Sequence, residues 1–159
     1  MTDVPETPTA ATVSPEAGRY LCAVLYCTLD DDPPIGTGHL AEHLDVSRAS
    51  VTEMIERFDD EGLLVHEPYR GVTLTDQGDE LARELVWRRC VVQRFFETDL
   101  EIEMPPTRAF TIGCTIPHSD VDRIADRVDE PCPGRCTAAT VEECYTLAAE
   151  AAETTEASG

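Results

Sequence analysis

Apolar residues recur at helical spacing through the first third of the chain and predict three consecutive helices. The first runs from about Glu16 to Leu29 and ends at the sequence DDDPPIG, because two prolines cannot continue a helix. The second begins at Thr37, and the third follows Ser47, a residue suited to cap a helix N-terminus. The apolar residues of the third helix fall at i, i+3, i+4 and i+7 and predict one buried stripe: Val51, Met54, Ile55 and Phe58.

Two short runs of β-type residues follow the third helix and predict a hairpin. Gly62 ends that helix, and residues 64–67 and 72–75 are joined by a Pro-Tyr-Arg-Gly turn. Three helices followed by a hairpin is the order of a winged helix-turn-helix. We therefore predict such a domain over residues 16–76, preceded by a disordered tail over residues 1–15.

The remaining pattern predicts a second, helical part over residues 77–152, followed by a disordered acidic tail over residues 153–159. Its predicted segments are, in order, a long helix capped by Thr75 and reaching Phe96, an irregular proline-containing stretch over 97–117, a helix over 119–128, and a last helix from Thr140 to about residue 152. The chain is thus predicted to be mainly α.

The chain is strongly acidic, and a strongly acidic protein is expected to repel the phosphates of nucleic acid. The net charge is −20, and all 12 basic residues are Arg. An acidic surface without Lys suits a cytosol with very concentrated salt, where the Debye length falls to about 3 Å and repulsion from distant phosphates largely vanishes. We interpret the acidity as halophilic adaptation of a cytoplasmic protein, since no apolar run approaches the roughly 20 residues of a membrane span and the N-terminus does not resemble an export signal.

The two segments expected to meet phosphate contain no acidic residue, in a chain that has 32 of them. Residues 46–52 open the third helix, and residues 68–75 include the hairpin tip. A helix that enters the major groove uses small polar or basic side chains near its N-terminus. The predicted DNA contacts are Ser47, Arg48, Ser50, Thr52, Tyr69 and Arg70. The alternative is an ordinary three-helix core with a solvated polar face.

The run LAEHLDVSRASVTEMIERFDDEGLLVHEPYRGVTLTDQGDELA resembles the DNA-binding domain of the DtxR/MntR family of metal-dependent repressors. The likeness covers about residues 16–100, and the SxxSVTEMI helix, the EPYRGVTLT wing and the TxxGxxLA helix start occur in that order. The resemblance implies a winged helix-turn-helix domain followed by a helical dimerisation domain. It also implies a homodimer on a palindromic operator in double-stranded DNA, and a metal that fixes the spacing of two recognition helices.

The metal ligands of that family do not carry over to this chain. The positions that the resemblance assigns to ligands hold Gly18, Arg19, Arg89 and Gln93, and an Arg cannot ligate a cation. A different set of potential ligands lies further along the chain: Cys114, His118, Cys132, Cys136 and Cys144. We predict that this set holds a transition metal (iron, manganese or zinc) or an iron–sulfur cluster, with free or reversibly oxidised thiols as the alternative.

The predicted function is a dimeric, DNA-binding transcriptional regulator that responds to a transition metal or to a cysteine-ligated redox centre. The alternative is a winged-helix protein with a structural zinc or no metal, controlled by a partner protein. An enzyme is not predicted, because no Gly-rich cofactor loop or catalytic dyad occurs. Cys22, Cys27 and Cys90 are interpreted as core residues, and His39 and His43 as phosphate contacts or solvated side chains rather than metal ligands.

Overall fold

A computed structural model of the chain describes residues 9–10, 12–128, 132 and 134–140. Within these residues the fold is mainly helical and carries one two-stranded antiparallel sheet, which confirms the predicted fold class. The elements in chain order are α1 (Pro15–Asp30), α2 (Thr37–Leu44), α3 (Arg48–Asp60), β1 (Leu64–Glu67), β2 (Gly71–Leu74), α4 (Asp76–Arg94), a π-helical turn (Phe95–Asp99), α5 (Pro106–Thr115) and α6 (His118–Val128). The last predicted helix and Cys144 lie outside the described residues.

Hydroxyl side chains set where α3 and α4 begin, as the sequence predicts. The Ser47 hydroxyl accepts a hydrogen bond from the Ser50 N–H at 3.1 Å, and Thr75 accepts one from the Gly78 N–H at 3.1 Å. Each bond satisfies an N–H group that the first turn of a helix leaves without an intrahelical partner. Helix α2 ends at Asp45, which adopts a left-handed conformation with φ of 56° and turns the chain into α3.

The wing is tied to the first helices through a third extended segment. Strands β1 and β2 pair from Leu64–Leu74 to Glu67–Gly71, so the second strand begins one residue earlier than predicted. Ile35 forms a bridge to Val72, with N–H···O distances of 2.8 and 2.9 Å. Gly71 permits this approach, because its φ is 128° and a Cβ there would overlap the Ile35 carbonyl oxygen.

Helix α4 contributes to each of three apolar clusters in the described part of the chain. The first cluster joins α1, α2, α3, the wing and the first half of α4, and includes Leu21, Leu40, Phe58, Leu64 and Leu85. The second surrounds Trp87 and Val91 with Val121 of α6, and the third joins Val92 to Met104 and Ala109. The packed core therefore continues across residue 76, where the sequence places a domain boundary.

The prediction of an irregular stretch over residues 97–117 is wrong, because α5 occupies Pro106–Thr115. Proline is compatible with the first turn of a helix, where its missing N–H has no intrahelical partner to lose. The end of α5 is held by Arg88, which is 2% exposed and donates to the carbonyl oxygens of Gly113 at 3.0 Å and Ile116 at 2.7 Å. Gly113 has no room for a Cβ, which would lie 2.9 Å from the Arg88 carbonyl.

The packed chain also begins earlier than predicted. The sequence predicts a loose tail as far as residue 15, whereas Ala10 and Val13 are buried in the first cluster. Ser14 accepts a hydrogen bond from the Ala17 N–H at 3.2 Å and so starts α1 at Pro15. Small apolar residues between Thr and Pro carry no periodic signal, which is why the pattern does not reveal their burial.

Candidate nucleic-acid interface, thiols and cavity

The first turn of α3 presents hydroxyl groups and a guanidinium to solvent. The side chains of Ser47, Arg48 and Thr52 are exposed and that of Ser50 is half-buried, while Val51 on the opposite face is buried. The Ser47 and Ser50 hydroxyls lie 3.0 Å apart, and the Thr52 hydroxyl donates to the Arg48 carbonyl at 2.9 Å. No acidic residue stands in this turn, so the partial positive charge of the helix N-terminus is not opposed locally. Phosphate is favoured at such a helix start.

Arg48 lies across the helix that precedes it. A Cβ added to Gly38 of α2 would lie 2.8 Å from the Arg48 Nη2 atom, so the absent side chain leaves the space that the guanidinium occupies. The guanidinium of Arg48 therefore lies against α2. Gly38 is a site residue that the sequence analysis missed, since a glycine inside a short helix gives no local sign of what passes over it.

The wing tip carries one exposed aromatic and one exposed cation. Tyr69 is 107% exposed and adopts a left-handed conformation with φ of 68°. Arg70 pairs with Glu67 at 3.1 Å, with side chains 69% and 46% exposed. An exposed pair of this kind contributes at most about 1 kcal/mol, so a phosphate can replace Glu67 as the partner of Arg70. The acid-free segment begins at Pro68, and Glu67 directly before it is the second site residue that the sequence analysis missed.

Two thiols of the predicted ligand set pack against the first core cluster. Cys114 on α5 is half-buried, and burial raises the pKa of its thiol to about 11 although Arg88 opposes the shift. Cys136 is buried; its N–H donates to the Arg83 carbonyl at 3.0 Å, and its carbonyl accepts from the Arg83 guanidinium at 3.1 Å. A thiol with a raised pKa is protonated at neutral pH, so metal binding at Cys114 must release a proton.

The other described members of the set lie beside the second core cluster. His118 packs against Trp87, with ring centroids 5.4 Å apart, and lies 3.6 Å from Glu84 and 3.4 Å from Asp122. Cys132 is half-buried against the same cluster. Within the described part of the chain, no three His, Cys, Asp or Glu side chains are gathered closely enough to hold a metal ion. Cys144 lies outside that part, and a metal centre formed by at least three residues of this set stays a prediction.

The cysteines of the first and fourth helices are placed as the sequence predicts, in the core. Cys27 and Cys90 are buried, and Cys22 is half-buried with its thiol 3.7 Å from the Ala82 carbonyl. Burial, together with the nearby carboxylates of Asp30 and Asp31, raises the pKa of Cys27 to about 12. Cys27 is therefore an unreactive thiol at neutral pH.

A cavity of about 130 Å³ opens between α1, α2, α4 and the start of α5. Its lining includes Arg19, Cys22, Tyr26, His43, Arg89 and Phe110. His43, interpreted from the sequence as a phosphate contact or a solvated side chain, packs against Tyr26 with ring centroids 5.1 Å apart. The cavity gathers side chains that are far apart in sequence, and no local pattern predicts it.

The family resemblance assigns metal ligands to four positions, two of which line this cavity, and the side chains at those positions show whether a metal ion fits there. Arg19 and Arg89 both line it, and two guanidinium groups repel a cation. Gly18 has no ligand atom, and a Cβ there would lie 3.2 Å from both Leu85 and Phe110. Gln93 donates to the Met104 carbonyl at 3.4 Å. These residues do not fit a metal ion.

The three helices, the hydroxyl-rich first turn of α3 and the cationic wing tip define a winged helix-turn-helix protein. Residues 12–72 match the model of the iron-dependent repressor N-terminal DNA-binding domain. The HTH-type transcriptional regulator MntR of Lysinibacillus sphaericus (strain C3-41) is 38% identical over 93 residues, which are 56% of this chain and 65% of that relative. Residues 12–72 therefore carry a domain similar to the DNA-binding domain of the iron-dependent repressors, and the chain is similar to MntR-type transcriptional regulators.

Solved structures show the same fold. The manganese regulator SloR aligns with a TM-score of 0.63 and 23% identity, over 75% of this chain and 56% of SloR. A manganese-dependent transcriptional repressor in complex with manganese aligns with a TM-score of 0.64 and 25% identity, over 72% of this chain and 53% of that one. The chain thus matches only part of each relative's length. Among the described helices, none is long and apolar enough to span a membrane.

Proposed function

We propose that this protein is a dimeric, DNA-binding transcriptional regulator whose affinity for DNA is set by a transition metal. One observation carries the DNA-binding part: the first turn of α3 and the wing tip present hydroxyls and guanidiniums, and that first turn contains no acidic residue, in a chain with a net charge of −20. Of the proposed contacts, Ser47, Arg48, Ser50 and Thr52 belong to α3, and Tyr69 and Arg70 to the wing.

The positions of α3 and the wing suggest that the two elements contact different parts of the DNA. The N-terminal turn of α3 reads base edges in the major groove, and the wing contacts phosphates beside it. Two copies related by a two-fold axis would contact a palindromic operator in double-stranded DNA, with half-sites one helical turn, about 34–36 Å, apart. Because salt screens long-range repulsion, the acid-free contact surfaces would determine binding even in molar salt.

The wing gives the test of the DNA-binding proposal. We expect Arg70→Ala to weaken binding roughly tenfold, and equally for a selected duplex and a random one, because a phosphate contact carries no sequence information. Glu67→Gln should strengthen binding several-fold, since it releases Arg70 from its 3.1 Å ion pair and removes a negative charge. Fluorescence anisotropy with a labelled duplex, selected from a random library on the unmodified protein, measures both effects.

A similar ion pair at the other end of α3 gives a matched control. Arg57 pairs with Glu61 at 2.8 Å beyond the acid-free turn, so Arg57→Ala and Glu61→Gln should leave the affinity within about twofold. If Arg70→Ala binds both duplexes as tightly as the unmodified protein, the wing does not contact phosphate and this assignment is wrong.

The metal part of the proposal is supported by one similar structure, a manganese-dependent transcriptional repressor in complex with manganese, and by the match to the iron-dependent repressor domain. They favour metal control over the alternative of a structural zinc with a separate partner protein. Because the cavity positions do not fit a cation, we assign the metal to the thiol set, Cys114, His118, Cys132, Cys136 and Cys144. Thiolate and imidazole ligands favour zinc or an iron–sulfur cluster over manganese, and the test therefore includes several metals.

Removing two thiols tests this assignment. We expect Cys132→Ser combined with Cys136→Ser to abolish any change of DNA affinity on adding Mn²⁺, Fe²⁺ or Zn²⁺, because two proposed ligands are lost. The fold should persist, since Cys136 is held through its backbone N–H and carbonyl. Cys27→Ala is the control, a buried thiol outside the set. A double variant that responds to metal like its parent would show that the metal binds elsewhere.

A further inference from the structure

The cavity between α1, α2, α4 and α5 concentrates positive charge in a strongly acidic chain. Arg19, His43 and Arg89 line it, and none of the described residues in its lining is Asp or Glu. The whole chain has 32 acidic and 12 basic residues, so acidic side chains outnumber basic ones. The described lining of the cavity has the opposite balance, with two Arg residues and no acidic residue. A cleft lined by charge of one sign attracts ions of the opposite sign.

Helix α5 adds a second, independent source of positive potential. It begins beside the cavity, where Pro106 and Thr107 are lining residues. Its N-cap residue Pro105 makes no side-chain hydrogen bond to the first turn. The N–H groups of a first turn have no intrahelical acceptor and carry the positive end of the helix dipole. An anion in the cavity is therefore within the field of a helix start as well as of two guanidiniums.

Arg89 is buried and Arg19 is exposed, so the two residues would contribute to anion binding in different ways. Arg89 is 6% exposed, so its attraction for a bound anion acts through a medium of low permittivity and is screened little by salt. Arg19 is exposed and forms no ion pair with any residue that the structure describes, which leaves its guanidinium available at the mouth. Guanidinium groups bind carboxylate and phosphate oxygens in pairs, which selects planar or tetrahedral oxyanions over chloride.

From these observations, we propose that the cavity is a binding site for a small oxyanion, a phosphate or a short carboxylate, held by Arg19, Arg89, His43 and the first turn of α5. Its volume of about 130 Å³ far exceeds the ~10–15 Å³ that one water molecule needs, and admits an ion of several heavy atoms. The apolar side chains of Tyr26 and Phe110 limit its size. The site shares no residue with the thiol set.

The location of the site connects the two parts of the chain. His43 belongs to α2, next to the recognition helix, whereas Arg89 belongs to α4 and Thr107 to α5. An oxyanion that contacts all three would join α2 to the helices beyond the wing. The cation that the family resemblance implies at these positions is thus replaced by a ligand of opposite charge.

The test is a titration of the full-length protein with inorganic phosphate and, separately, with acetate, at constant chloride and ionic strength and without DNA. We expect saturable binding of at least one of them, about one ion per chain by calorimetry, and a rise in the thermal midpoint as a folded-state ligand requires. Arg19→Gln and Arg89→Gln should each weaken that binding at least tenfold. Arg123→Gln, which removes the same charge from the exposed face of α6, should leave it unchanged.

Three results would overturn the proposal: no saturable binding of either ion, an equal loss in Arg123→Gln, or Mn²⁺ binding that Arg19→Gln weakens. Since Arg89 is buried, Arg19→Gln decides the matter if Arg89→Gln does not fold. Because no DNA is present, a failure of the DNA-binding proposal leaves this result intact, and the reverse also holds.

Discussion

Ser50→Glu is expected to weaken DNA binding at least ~100-fold without destabilising the protein. Ser50 is the third residue of α3, and its N–H already donates to the hydroxyl of the N-cap residue Ser47. A Glu at this position completes a capping box and also interacts favourably with the helix dipole, so the free energy of unfolding should stay equal or rise by some tenths of a kcal/mol.

The same carboxylate would stand on the face that is proposed to meet DNA. Placing like charges in contact across an interface costs several kcal/mol, and salt screens little at contact distance, whereas a ~100-fold loss corresponds to about 2.7 kcal/mol. Fluorescence anisotropy with the selected duplex measures the affinity, and chemical denaturation measures the stability.

A charge-matched variant separates a local effect from a change in net charge. Thr111→Glu adds the same charge on an exposed position of α5 and should change DNA affinity less than threefold. If Ser50→Glu also stays within threefold of its parent, the first turn of α3 does not face DNA and the orientation proposed for the helix is wrong.

Gly78→Ala is expected to lower the free energy of unfolding by more than ~3 kcal/mol. Helix propensity alone predicts the opposite sign, because Ala exceeds Gly by about 1 kcal/mol inside a helix. A Cβ at Gly78, however, would overlap the Leu63 carbonyl oxygen and lie 3.2 Å from the Leu74 side chain. The overlap involves backbone, so the start of α4 must move away from the wing.

That movement would break the junction between the wing and α4. The Thr75 N–H donates to the Leu63 carbonyl at 3.1 Å, and the Thr75 hydroxyl donates to the Gly62 carbonyl at 2.7 Å. Denaturant titration followed by circular dichroism, in concentrated KCl, gives the change in stability. Gly36→Ala is the control, because a Cβ there meets no atom within 4 Å. Equal midpoints for Gly78→Ala and its parent would contradict the expectation.

The first four helices were predictable because each has one buried face or a polar cap. The stripe through Val51, Ile55 and Phe58 is a local signal of a helix against a core, and Ser47 and Thr75 mark helix starts with their own hydroxyls. Helix α5 was not predicted, because prolines such as those at its start are also common in irregular segments. The helix is supported by the packing of Gly113 against the Arg88 backbone and by the Arg88 hydrogen bonds to the Gly113 and Ile116 carbonyls, contacts between residues far apart in sequence.

Some parts of the candidate sites are likewise visible in local sequence, whereas others depend on contacts between distant residues. The acid-free turn of α3 is visible in consecutive residues, and its exposure follows from the helical period. The contact of Arg48 with Gly38 and the pairing of Arg70 with Glu67 depend on side-chain directions that a sequence pattern does not contain. The cavity needs residues of four helices, so the sequence identifies Arg19 and Arg89 only as departures from a ligand pattern and not as neighbours.

Because α4 packs into more than one apolar cluster, the winged helix of this protein cannot be exchanged as an independent module. Leu85 packs into the cluster beneath the winged helix, and Trp87, two residues later, packs with Val91 and Val121 in the next. A winged helix transplanted from a relative would bring a surface shaped for another fourth helix and would leave mismatched volumes against Leu85. Successful chimaeras should therefore exchange α4 together with the wing, and natural recombination should join such proteins after Arg94 rather than at residue 76.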